Sequence, residues 1–153
     1  MQKAPSQKEI NIFLEHYKSK RYIEAEKLAY IFTKEFPKYS FGWKALGVVL
    51  KKTGKISESL AANQKALQIN PQDAEVYFNL ANSLKDLNKT KEAIVNYKKA
   101  IDLKPGYVEA YNNLGITLRE LKKLTESESS YKKAIQINPN FADAYNNLGY
   151  TLR

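Results

Sequence analysis

The stretch AYNNLG at residues 110–115 decides the fold, because it recurs at residues 144–149. A related stretch, VYFNLA, occupies residues 76–81, at the same interval upstream. Residues 74–107 and 108–141 are identical at 14 of 34 aligned positions. A fixed period of this kind predicts an array of repeated units, each of which buries its apolar face against its neighbours.

Each unit has the pattern of two helices. In residues 108–141, Tyr111, Leu114, Gly115 and Leu118 are spaced i, i+3, i+4 and i+7, which places them on one face of a helix. A second helix ends before Asn138, because proline at the next position cannot continue it. Four prolines share the interval of the repeat: Pro37, Pro71, Pro105 and Pro139. Helices are predicted at about 7–19, 22–35, 40–53, 56–68, 74–87, 90–102, 108–121, 124–136 and 142–153.

The spacing of large, small and proline residues resembles the tetratricopeptide repeat, a helix–turn–helix unit with this period. Two units carry the signature in full: Tyr77-Leu80-Ala81-Leu84-Ala93-Tyr97-Ala100-Pro105 and Tyr111-Leu114-Gly115-Leu118-Tyr131-Ala134-Pro139. The resemblance implies an all-α fold, a right-handed α-solenoid of helix–turn–helix repeats. Small residues at the Gly115 position are expected to let paired helices approach closely.

The predicted domain organisation is one solenoid over residues 1–153. Residues 6–39 form a degenerate first repeat that opens with a capping box at Ser6 and Glu9. Full repeats follow at 40–73, 74–107 and 108–141, and residues 142–153 form the first helix of a fifth. That helix keeps an internal packing set, so either the chain is part of a longer protein or its exposed end binds another copy.

Composition excludes several kinds of chemistry. The sequence has no cysteine and one histidine, His16, so no disulfide, thiolate nucleophile or site with two imidazoles can form. No phosphate-binding loop or nucleophile–base pair is recognisable. We therefore expect no enzyme activity, no metal and no cofactor. The absence of a long apolar run predicts no membrane association, and the protein is expected to be cytoplasmic.

Asn79, Asn113 and Asn147 occupy the sixth position of successive repeats. A helical wheel places this position opposite the packing face, on the first helices that would line a concave groove. An amide both donates and accepts hydrogen bonds, so a row of amides can hold an extended peptide backbone. The alternative is that asparagine at this position is only solvated. Asn112 and Asn146, about 100° away on the wheel, are expected to be solvated or bonded to a neighbouring repeat.

The asparagine row resembles that in the repeat domain of the enzymes that attach N-acetylglucosamine to Ser or Thr. There the row holds the substrate chain, and the resemblance extends here to Asn79, Asn113 and Asn147. Chaperone-binding relatives instead clamp a C-terminal carboxylate, and Lys44, Asn79 and Asn82 match single elements of that clamp. Acidic residues at the second position of three units depart from it.

Five acidic residues share the predicted groove, with Lys52 against them, whereas many lysines fall on second helices. Acids in a first helical turn are also favoured by the helix dipole alone. The predicted peptide-binding residues are Asn79, Asn82, Asn113, Asn147, Glu75, Glu109, Asp143 and Lys52. The predicted ligand is a neutral or basic peptide.

The sequence thus predicts a scaffold for protein–protein interaction that binds an extended peptide in the concave groove. One alternative is a substrate-targeting N-terminal module of a larger transferase. A second alternative follows from the net charge of +9, which permits binding to nucleic acid. We expect no nucleic acid partner, because the basic residues lack interleaved exposed aromatics.

Overall fold

The computed structural model of the protein describes residues 4–152. Within this range the chain forms nine α-helices and no β-strand. Their bounds are α1 Gln7–Lys18, α2 Tyr22–Glu35, α3 Ser40–Lys52, α4 Ile56–Ile69, α5 Ala74–Asp86, α6 Thr90–Leu103, α7 Val108–Glu120, α8 Leu124–Ile137 and α9 Ala142–Thr151. The bounds of α1 to α8 agree with the prediction to within one residue. The predicted end of α9 at Arg153 lies outside the described residues.

Two signals recur at the helix ends. Each second helix ends two residues before a periodic proline, and the residue between them leaves the helical conformation, as Asn70 does with φ −130° and ψ 93°. The first helices α1, α3, α5 and α7 each end in a turn with positive φ, and these turns recur at the same interval as the prolines. The residues concerned are Lys20, Gly54, Asn88 and Lys122, with φ between 57° and 79°. The repeat of the sequence is therefore also a repeat of the backbone.

The predicted capping box is present at the start of α1. The Ser6 hydroxyl accepts a hydrogen bond from the Glu9 amide at 3.3 Å, and the Ser6 amide donates to the Glu9 carboxylate at 2.7 Å. Hydrogen bonds from Ser6 to the carboxylate favour its charged form, so the pKa of Glu9 is lowered.

Packing joins each first helix to its partner, as in α3 with α4, α5 with α6 and α7 with α8. Small residues make the close approach possible. A Cβ atom added at Gly115 would lie 2.6 Å from the ring of Tyr131, and one added at Gly47 would lie 2.7 Å from the Asn63 side chain. Ala81 is fully buried at the same position. The predicted role of these small residues is confirmed.

First helices of successive pairs also meet, as α3 does with α5 and α7 with α9. We call the surface formed by α3, α5, α7 and α9 the odd-helix face. The all-helical, serially packed arrangement confirms the predicted α-solenoid of helix–turn–helix repeats.

Candidate functional site

The odd-helix face contains three homologous junctions between successive first helices. The first junction lies between α3 and α5, the second between α5 and α7, and the third between α7 and α9. Each combines a residue from one helix, an asparagine from the next and a side chain of the intervening second helix. These sets are Val48, Asn79 and Asn63; Asn82, Asn113 and Tyr97; and Ile116, Asn147 and Tyr131.

The second junction is closed by hydrogen bonds. The Asn82 side-chain oxygen accepts from the Tyr97 hydroxyl at 2.6 Å and from the Asn113 amide at 3.0 Å. Tyr97 is fully buried, and burial raises the pKa of its phenol. The phenol therefore stays protonated and able to donate. This junction joins three helices through one acceptor.

The third junction is joined by a different pair. The Asn147 amide donates to the Asn112 side-chain oxygen at 3.0 Å, and the Asn112 amide in turn lies 3.5 Å from the Asn113 oxygen. Ile116 stands where Asn82 stands in the second junction and has no polar atom to offer. The hydroxyl of Tyr131 is consequently buried without a hydrogen-bond partner in the described chain.

The first junction is open. Val48 cannot bond to Asn79, and the side chain of Asn79 has no partner within residues 4–152. A cavity of about 200 Å³ lies here instead. Its lining residues are Tyr17, Gly47, Val48, Lys51, Lys52, Phe78, Asn79 and Asn82.

The predicted row of three equivalent amides is thus divided. Asn113 and Asn147 donate to neighbouring repeats, whereas Asn79 remains available. Asn112 is buried, with 6% of its surface exposed, and accepts a hydrogen bond from Asn147 of the next repeat. A bond to a neighbouring repeat was one of the two predicted alternatives. Asn146 is exposed to solvent, which was the other predicted alternative.

The acidic residues of the face are of two kinds. Asp86 and Glu120 pair with lysines of the preceding repeat, Lys51 and Lys85, and the second pair is separated by 3.0 Å. Glu109 and Asp143 are exposed and form no ion pair with any described residue. Lys52 is likewise exposed and unpaired within residues 4–152.

Glu75 is neutralised by Lys44, which also contacts Asp73 at 3.2 Å. Burial opposes the charge of Lys44, but the bonds to Glu75 and Asp73 outweigh it and raise the pKa of Lys44. An ammonium held by two carboxylates is a poor partner for a third. Lys44 is therefore already paired in this arrangement.

Apolar residues lie at both ends of the odd-helix face. Phe41 is half-buried, with ring centroids 6.0 Å from both Phe13 and Phe32. Phe13 of α1 thus covers the start of α3. At the other end, Tyr145 and Leu152 of α9 are 49% and 63% exposed.

The lysines of the second helices are exposed, as predicted. Lys65 lies on α4, Lys98 and Lys99 on α6, and Lys132 and Lys133 on α8. Charge on these helices keeps the chain hydrated away from the odd-helix face. No helix in the described part of the chain is long and apolar enough to cross a membrane. No cluster of three metal-binding side chains occurs in residues 4–152.

The sequence reasoning missed the role of Tyr97, which it named only as part of the repeat signature. Its hydrogen bond to Asn82 depends on how the second helix approaches the odd-helix face. The recurring tyrosine at 97 and 131, together with the asparagine at 82, was the available signal.

Family comparisons agree with this geometry. Models described as "TPR repeat" match residues 47–88 and 81–120, and models described as "Tetratricopeptide repeat" match residues 108–141 and 130–153. A comparison with curated proteins found no significant match.

Solved structures share the fold. MamA superposes with a TM-score of 0.82 at 22% identity, covering 92% of this chain and 82% of MamA. The first tetratricopeptide domain of Spaghetti (RPAP3), bound to the HSP90 peptide SRMEEVD, has a TM-score of 0.72 at 26% identity, covering 74% of this chain and 90% of that domain.

YrrB, described as a protein with an unusual peptide-binding site, has a TM-score of 0.77 at 20% identity. The alignment covers 96% of this chain and 76% of YrrB. The sequence matches together extend over residues 47–153. The chain belongs to the tetratricopeptide repeat family.

Proposed function

We propose that the protein is an interaction scaffold that binds an extended peptide segment in a groove on the odd-helix face. One observation carries the proposal: polar groups without partners in the described chain follow one another along this face. They are Lys52, Asn79, the amide nitrogen of Asn82, Glu109 and Asp143. Unpaired groups on a surface that is otherwise tied together by hydrogen bonds are suited to an external ligand.

Two structural relatives support a peptide as the ligand. RPAP3 has been solved with an HSP90 peptide, and YrrB is described by its peptide-binding site. An extended segment needs repeated backbone contacts, and Asn79 can both donate to and accept from one peptide group. The role inferred from this set of groups is binding without catalysis.

The charges suggest an orientation for the peptide. Lys52 lies on α3, and Glu109 and Asp143 lie on α7 and α9. A basic residue of the ligand would therefore lie over α7 and α9, where carboxylates are uncompensated. The peptide SRMEEVD should bind poorly, since Lys44 is already held by Glu75 and Asp73.

The test is a binding measurement with a library of basic peptides by fluorescence anisotropy. Asn79→Ala should weaken the best binder about 2–12-fold, because one hydrogen bond of about 0.5–1.5 kcal/mol is lost. Asn146→Ala removes an exposed amide from α9 and serves as the matched control. Unchanged affinity in both Asn79→Ala and Asn113→Ala would remove the groove proposal.

Glu109→Gln and Asp143→Asn test the orientation. Each should reduce the affinity for a basic peptide and leave that for a neutral peptide unchanged. Raising the salt concentration should have the same selective effect. If the neutral peptide is weakened equally, charge does not direct binding.

Self-association through α9 stays a prediction. Tyr145 and Leu152 lie on an exposed face that the equivalent residues of other repeats bury, as Leu118 does at 2% exposure. Light scattering over a concentration series measures it. A mass that stays at one chain of 17.5 kDa would contradict the prediction.

A further inference from the structure

We propose that the open first junction is a side-chain pocket that takes a tyrosine of the bound segment. The inference rests on the proposed function, because the tyrosine would belong to the peptide on the odd-helix face. It adds a residue preference that the repeat fold alone does not require.

The size and lining of the cavity suit an aromatic ring. Its volume of about 200 Å³ exceeds the roughly 150 Å³ that accommodates benzene in a protein interior. Tyr17 and Phe78 supply aromatic walls and Val48 an aliphatic one. Aromatic side chains favour offset or edge contacts with such walls. Lys52 at the same cavity adds a cation that can lie over a ring.

The second junction shows what occupies this place elsewhere in the molecule. There the phenol of Tyr97 meets the Asn82 oxygen at 2.6 Å, and Asn113 meets the same atom at 3.0 Å. The phenol and two amides thus form one polar contact at the odd-helix face. The protein itself thus contains a precedent for a tyrosine hydroxyl bonded to an asparagine of these helices.

The first junction lacks that tyrosine. Its counterpart is Asn63, which packs across Gly47, since a Cβ atom there would lie 2.7 Å from Asn63. The Asn63 amide donates to the Ser59 carbonyl at 3.0 Å, and its side-chain oxygen is buried without a partner in the described chain. No phenol from the second helix reaches the face, and Val48 offers Asn79 no counterpart of the oxygen that Asn82 presents to Asn113.

A phenol satisfies these groups better than other side chains. Its hydroxyl can donate to the Asn79 oxygen and accept from the free Asn82 amide. A phenylalanine would fill the same space but leave both amides unpaired, and such sites discriminate strongly against the analogue without the hydroxyl.

The experiment uses the whole chain labelled with ¹⁵N and titrated with N-acetyl-L-tyrosinamide. We expect chemical-shift changes at the Asn79 and Asn82 side-chain amides and at Gly47. N-acetyl-L-phenylalaninamide should bind about tenfold more weakly, which corresponds to about 1.4 kcal/mol. Equal affinities for the two compounds would overturn the proposal.

Two substitutions make the same chemical change at different junctions. Val48→Asn places an amide opposite Asn79, as Asn82 stands opposite Asn113, and should close the cavity and abolish tyrosinamide binding. Ile116→Asn makes the equivalent change at the third junction and should leave binding unchanged. Circular dichroism establishes that both variants are folded. Binding that survives Val48→Asn at full strength would contradict the pocket.

The pocket and the groove can fail separately. A peptide that needs Asn79 but binds equally well with tyrosine, phenylalanine or leucine supports the groove and overturns the pocket. Saturable tyrosinamide binding at Asn79, with no peptide bound by the face, supports the pocket as a phenol site and overturns the proposed function.

Discussion

The second and third junctions differ in the residue that faces the buried tyrosine, which is Asn82 in the second and Ile116 in the third. In the second, a buried tyrosine hydroxyl has an acceptor 2.6 Å away. In the third, the equivalent hydroxyl of Tyr131 has none among the described residues. The comparison shows that the fold tolerates losing the hydrogen bond while keeping the ring, so the tyrosine is retained in both places by its packing.

The largest contrast in stability is expected between two glycines at equivalent positions of the first helices, Gly115 and Gly149. Gly115→Ala should destabilise the protein by about 1–3 kcal/mol, because the new methyl group would lie 2.6 Å from the buried Tyr131 ring. Ala81, the equivalent residue opposite Tyr97, shows that another repeat accommodates an alanine at this position. Gly149→Ala should instead stabilise by about 0.5–1 kcal/mol, since nothing described lies within 4 Å of it. Urea unfolding measures both.

Removing each tyrosine hydroxyl distinguishes the contribution of its hydrogen bond from that of the packed ring. Tyr97→Phe should cost about 1 kcal/mol, because the Asn82 oxygen loses its shorter hydrogen bond. Tyr131→Phe should be neutral or stabilising by about 1 kcal/mol, since it removes an unpaired buried group. Equal losses in the two variants would show that the third junction has a partner for Tyr131.

Ionisation of Tyr97 and of Tyr131 at alkaline pH should in both cases lower the stability of the folded state. Burial raises the pKa of both Tyr97 and Tyr131, so the folded state holds each phenolic proton more tightly than the unfolded chain does. The resulting stability is complete below the unfolded pKa of about 10 and is lost as the pH rises through the folded value.

We expect Tm to fall above about pH 10, and Tyr97→Phe should reduce this fall more than Tyr131→Phe, because the shift is the larger one at Tyr97. A Tm that is flat across this range would contradict the assignment.

The smallest difference concerns charge. Lys85 pairs with Glu120 across the second junction at 3.0 Å, whereas Arg119, its equivalent at the third, forms no ion pair with a described residue. Lys85→Ala should cost about 0.5 kcal/mol at low salt and nothing near 1 M salt, because both groups are partly exposed. Arg119→Ala should show no such salt dependence. Urea midpoints at two salt concentrations test the pair.

The helices were predictable because their signals are local. Prolines at a fixed interval, the Ser6–Glu9 box and the spacing of Leu114, Gly115 and Leu118 each act within one helix or one turn. These signals determined the helix bounds and the close approach of paired helices.

The junctions were not predictable from the same reasoning. A wheel for one helix places Asn112 away from the packing face, but the next repeat covers it and Asn147 bonds to it. It also cannot show that Lys44 is held by Glu75, or that α1 covers Phe41. These contacts depend on the angle between repeats, which no single repeat encodes. A lysine followed in the next repeat by an acid one position further on, as in Lys51 and Asp86, is a signal that could have been used.

The main contacts of each helix are with its immediate neighbours or the next helix but one along the chain. In such an array each repeat contacts only its neighbours, so a small change in the tilt of each helix pair adds up along the chain. Amide hydrogen bonds join α7 to α9, whereas α3 is joined to α5 by the ion pairs Lys44–Asp73 and Lys51–Asp86. Bending between α3 and α5, beside the cavity, should therefore depend more on salt concentration than bending between α7 and α9.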